Sequence, residues 1–167
     1  MGNIVVQLAD PEWTMQALHL ASALARNTGS YVTLLHLALA RNPGLLGTEL
    51  ATPAPSWEEW AQFREYGSVC GDYGGEFVFQ PMQYVTLTGA IRDAATMLEA
   101  TAFFIKQPDS RFRLWNRFVA WRLEQVLRPV GCRLYFVDAG TCMIDWSADE
   151  LPAADVEHAL KSEVWNC

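Results

Sequence analysis

The chain has 167 residues, of which 51% are hydrophobic and 19% charged, and it carries a formal net charge of −7. That length suffices for one domain with a substantial core, and that balance excludes a disordered chain. The acidic balance weighs against broad electrostatic capture of nucleic acid or anionic lipid. No apolar run approaches the roughly 20 residues of a membrane-spanning helix.

The elements follow in chain order. Ile4 to Ala9 is a short apolar run of the kind buried on both faces of a sheet. No basic segment precedes it and no cleavage-like site follows it, so no leader peptide is expected and the cytoplasm is the expected compartment. Asp10-Pro11-Glu12 then reads as a helix start: Asp10 caps, Pro11 suits the first helical position, and Glu12 complements the dipole. Trp13, Ala17, Leu20, Ala21 and Leu24 recur at helical spacing until Asn27-Thr28-Gly29 stops the helix. Tyr31 to Leu39 is a second strand. A strand, a helix and a strand joined by short loops imply parallel pairing through a right-handed crossover.

Residues 41 to 56 hold three prolines and two glycines and read as a loop. Ser56-Trp57-Glu58-Glu59 is a capping box that opens a second helix, expected to end near Tyr66. Gly71-Asp72-Tyr73-Gly74-Gly75 precedes a strand and lacks a lysine, so it is read as a turn or short hairpin and not as a phosphate loop. Phe77 to Tyr84 is a third strand, and Pro81 within it points to a sheet edge. A third helix is expected over about Leu87 to Leu98, and a fourth strand over Thr101 to Gln107. Asp109 or Ser110 caps a long fourth helix from Arg111 to Leu127, closed by Pro129 and Gly131. Cys132 to Asp138 is the fifth strand. Five strands alternating with four helices predict an α/β fold, a doubly wound parallel sheet with helices on both faces. Residues 1 to 138 form that domain, and residues 139 to 167 form a C-terminal extension that packs on it or at a dimer interface, with a short helix over Ala153 to Val164.

Residues 3 to 138 resemble the universal stress protein family. Three stretches carry the resemblance: the opening IVVQLADPEWTMQALHLASALA, the run Thr28 to Leu37 (TGSYVTLLHL), and Glu124 to Arg128 followed by Cys132 and a hydrophobic last strand. Members of that family that bind ATP carry G-x2-G-x9-G-[ST] between the fourth strand and fourth helix. Amides at a helix start there cradle phosphates, and side chains would block the approach. The matching slots hold Gln107, Ser110, Ala120 and Trp121, with no glycine among them. The family's nucleotide-contacting Asp slot falls on Ala9, with Asp10 one residue later and already read as a cap. ATP binding in the family's manner is therefore not expected, and neither is any other cofactor. The doubly wound sheet leaves a crevice at its switch point. Ala9, Asp10, Leu37, Gln107, Asp109, Ser110, Ala120 and Trp121 are its candidate residues.

The remaining constellations are sparse. His19, His36 and His158 do not converge with other ligand types in sequence, so no metal site and no catalytic residue is assigned. Cys70, Cys132, Cys142 and Cys167 show no C-x-x-C spacing and read as reduced thiols. The seven tryptophans read mostly as packing residues, with some marking a partner surface. The fourth helix sets Arg111, Arg113, Arg117, Arg122 and Arg128 against the single Glu124. It reads either as a solvated face or as a docking surface for an acidic partner. The resemblance implies a homodimer through the fifth strand. The expected function is that of a non-enzymatic, stress-associated or regulatory protein acting through protein contacts. The alternative is a small-ligand or nucleotide sensor with a rebuilt crevice. An enzyme of the wider adenine-nucleotide α-hydrolase-like class ranks behind both.

Overall fold

In a computed structural model, residues 2–40, 56–106 and 113–137 are described, with the side chains of 113–115 left aside. The elements are β1 (Asn3–Gln7), α1 (Pro11–Thr28), β2 (Tyr31–Leu39), α2 (Trp57–Asp72), β3 (Phe77–Tyr84), α3 (Leu87–Met97), β4 (Ala100–Lys106), α4 (Arg113–Leu127) and β5 (Arg133–Val137). A single 3-10 turn, Arg128–Val130, follows α4. All pairings are parallel, and the sheet runs β3-β2-β1-β4-β5. The doubly wound sheet expected from the alternation of elements is the one observed. Pro81 lies, as anticipated, on an edge strand, where its missing N–H costs the ladder nothing.

Each face of the sheet has its own core. On one face Ile4, Val6, Val32, Leu34 and Phe104 pack under α1 and α2, against Trp13, Ala17, Leu18 and Tyr66. On the other, Val5, Leu35, Phe103 and Ile105 meet Ile91, Leu123 and Leu127 from α3 and α4. The alternation along β1 explains the division, because successive side chains leave a strand on opposite faces. Ala17, Ala21, Ser22 and Ala25 keep α1 close to the sheet and its neighbour, and Ser22 Oγ donates to Cys70 Sγ at 3.2 Å.

The helix ends follow their local chemistry. Asp10 caps α1 by accepting from the Trp13 amide, and Gly29 leaves it at φ 63°. The Ser56–Glu59 capping box forms in both directions, at 3.2 and 2.6 Å. The sequence reading errs on the end of α2, which runs six residues past Tyr66 to Asp72. The apolar stripe Phe63, Tyr66, Cys70 continues through Gly67, which faces the Phe77 ring, and the packing outweighs glycine's weak propensity. The Gly71–Gly75 stretch is accordingly the last turn of α2 and its exit, with Gly74 at φ 73°, and not a hairpin. β1 is shorter than expected, since Leu8 and Ala9 lead into the α1 cap. The loop over 41–55, the caps Asp109 and Ser110, and the extension 139–167 lie outside the described residues.

Candidate functional site

The strand order fixes where a crevice can form. β1 is followed by α1 on one face and β4 by α4 on the other, so the chain parts at the carboxyl ends of these two adjacent strands. Gln7, Leu8, Ala9 and Asp10 come from β1 and its exit, and Lys106 is the last residue of β4.

Asp10 uses both carboxylate oxygens. Oδ1 accepts from the Trp13 amide at 3.0 Å, and Oδ2 accepts from Lys106 Nζ at 2.6 Å, an ion pair across the switch point. The lysine hydrogen bond and then the Trp13 amide hold the carboxyl below its ordinary range. The Ala9 amide donates to Thr14 Oγ1 at 3.0 Å, and the Leu8 amide to the Leu35 carbonyl at 2.8 Å. These bonds tie the β1 exit down on both sides. Gln7 Oε1, from the last residue of β1, is buried with no hydrogen-bond partner among the described residues. At the far side, Trp13 Nε1 donates to the Val137 carbonyl at 2.7 Å, anchoring the start of α1 to the end of β5.

The structure therefore brings Ala9, Asp10 and Leu37 to the carboxyl edge of the sheet. Leu37 follows the Gln7–Leu35 pair by two residues and packs on the α3–α4 core. Gln107, Asp109 and Ser110 lie outside the described residues. Ala120 and Trp121 stand elsewhere: they are two turns into α4, which runs back from the carboxyl edge, so Trp121 is about 12 Å along the helix from Arg113. Trp121 is 55% exposed, with its ring 6.0 Å from that of Phe118 on the outer face of α4, so it does not fill a pocket at the crevice. Lys106 and Gln7 escaped the sequence reading. Lys106 is the one charged residue in the TAFFIK run, and a charge closing an otherwise apolar strand opposite Asp10 is the signal that marks it.

No metal-binding cluster forms among the described residues. His19 Nδ1 lies 3.3 Å from the Tyr73 hydroxyl on the α1–α2 surface, and His36 stacks on Phe79. No group of three or more His, Cys, Asp or Glu side chains gathers there. Cys70 and Cys132 are buried free thiols, and burial pushes the Cys132 thiol up to about 12. No described helix is long and apolar enough to cross a membrane.

This is the fold of the universal stress proteins. The chain is similar to a universal stress protein solved in complex with cAMP, at 15% identity over 82% of this chain and 96% of that one, with a TM-score of 0.55. A universal stress protein from Archaeoglobus fulgidus is 16% identical over 83% and 94%, with a TM-score of 0.56. One solved from Archaeoglobus fulgidus in complex with dAMP is 18% identical over 83% and 98%, with a TM-score of 0.51. No protein-family model and no curated protein matches the sequence.

Proposed function

We propose that the chain is a non-enzymatic regulatory protein of universal stress protein type, acting as a cytoplasmic homodimer and not taking ATP through the family's glycine motif. The observation that carries this reading is the course of α4. A phosphate cradle needs free amides, and only the first four of a helix lack an intrahelical acceptor. The slots at Ala120 and Trp121 sit in the middle of α4, where their amides belong to the helix. The absence of glycine at any of the motif's slots points the same way. The fifth strand supports the dimer: β5 is an edge of the sheet, and Leu134 and Phe136 alternate on it with Arg133 and Tyr135.

A second reading, a nucleotide or metabolite sensor with a rebuilt crevice, has its own support. Lys106, paired with Asp10, puts a cation at the carboxyl end of β4, and Gln7 Oε1, without a hydrogen-bond partner among the described residues, puts an acceptor at the end of β1. Two of the similar structures are complexes with cAMP and dAMP.

Calorimetry on nucleotide-stripped protein with magnesium and ATP, then with cAMP and dAMP, separates the two. No heat and no thermal shift up to millimolar nucleotide is the expected result. Micromolar binding that Lys106→Ala abolishes would put the sensor reading first. Sedimentation velocity checks the dimer, and a monomer at micromolar concentration overturns that part.

A further inference from the structure

We infer that the outer face of α4 is the docking site of the chain's own acidic C-terminal segment, residues 139–167. Arg117, Phe118, Trp121, Arg122 and Gln125 are all exposed and lie on one side of α4, at spacings of three and four, and the exposed Arg128 follows in the 3-10 turn. Phe118 and Trp121 are 45% and 55% exposed, their rings 6.0 Å apart, and the arginines flank them. An aromatic pair bordered by guanidinium groups fits a segment that is both acidic and apolar.

Residues 139–167 have that composition. They hold six carboxylates against the single Lys161. Val156, Leu160 and Val164 recur every four residues beside Asp155, Glu157 and Glu163, so one helical stripe would present apolar groups with acids at its margins. Position and length agree. The segment follows β5, the edge strand against which α4 packs. Its 29 residues reach far beyond the roughly 22 Å that α4 spans.

Charge selects this face over its rivals. The other exposed tryptophans among the described residues, Trp57 and Trp60, share α2 with Glu58, Glu59, Glu65 and Asp72, which outnumber its single Arg64 and repel an acidic segment. A second copy placing its own α4 face here across a two-fold axis would set arginine against arginine.

The test is chemical footprinting of the full chain, read by mass spectrometry: hydroxyl-radical oxidation of Trp121 and phenylglyoxal modification of Arg117 and Arg122. The comparison is a variant carrying Asp149→Asn, Glu150→Gln, Asp155→Asn and Glu157→Gln, none of which lies in the sheet domain. With a docked state holding about four-fifths of the population, all three sites should react about fivefold slower in the unaltered chain. Molar salt should erase the difference, because screening shortens to about 3 Å. Arg117→Glu with Arg122→Glu should likewise expose Trp121, and adding Asp155→Lys with Glu157→Lys should restore its protection, while circular dichroism confirms that each variant folds. Equal rates in both chains overturn the inference. So does protection that survives neutralisation of the acids, and so does protection lost on dilution in step with a dimer-to-monomer transition, which would put a second copy on the face.

Discussion

Asp10 joins two structural tasks in one side chain. It supplies the acceptor that the first turn of α1 lacks, and it holds Lys106 across the switch point. The cap is the larger contribution, about 1 kcal/mol, while an ion pair this exposed adds about 0.5 kcal/mol. Asp10→Asn keeps the cap and should cost little at neutral pH, whereas Asp10→Ala should cost about 1 kcal/mol in urea denaturation. The carboxyl titrates below its ordinary value in the folded chain. Its charge-dependent stabilisation is therefore full above about pH 5 and is lost as pH falls through the folded value, below about 4. The stability difference between the unaltered chain and Asp10→Asn should shrink to zero across that acid range. A difference that stayed constant would mean the Lys106 pair contributes nothing.

At the scale of elements, α2 shows how packing overrides composition. Gly67 and Gly71 both lie inside the helix because Phe63, Tyr66 and Cys70 bury one face of it. The two glycines differ in surroundings. A Cβ at Gly67 would meet the Phe77 ring at 3.4 Å, but at Gly71 it would meet nothing within 4 Å. Gly71→Ala should accordingly raise stability by about 0.5–1 kcal/mol by reducing the freedom of the unfolded chain. Gly29 is the opposite case, since its φ of 63° ends α1 in the left-handed region. Gly29→Ala should lower stability by about 1 kcal/mol. Thermal melts of the two variants should shift in opposite directions; shifts of the same sign would contradict the backbone account.

The whole molecule is held across its length by contacts that no local pattern reveals. Trp13, 1% exposed, links the beginning of α1 to the final residue of β5 through the Val137 carbonyl, 124 residues away. Trp13→Phe leaves that buried carbonyl without its donor and removes part of a filled ring site. The expected cost is about 3 kcal/mol, read as a lowered urea midpoint at unchanged slope. A loss below about 1 kcal/mol would mean that a water or another donor replaces the indole. At the amino end of the central strand, Asn3 plays a comparable role: Nδ2 donates to the Leu98 carbonyl at 3.0 Å and Oδ1 accepts from Thr33 Oγ1 at 3.0 Å. Both Asn3 and Thr33 are 1% exposed, so the registers of β1 and β2 are keyed by polar groups that water does not reach and that bond each other.

The sequence by itself determined the alternation of strands and helices, the parallel sheet and the exposed edge at Pro81. It also determined the caps at Asp10, Ser56 and Gly29, because each of these depends on residues within a few positions of one another. Period, proline geometry and capping chemistry are local. Only the tertiary structure decided that α2 continues through its glycines, since Phe77 and the sheet reward the helix from outside. Only it set Lys106 against Asp10, buried Gln7 Oε1 with no hydrogen-bond partner among the described residues, and carried Trp121 away from the crevice to the outer face of α4. Motif slots record positions along the chain, but a binding site depends on where backbone amides are free and where side chains point. Those are settled when the strands pair and α4 turns one particular face to the core.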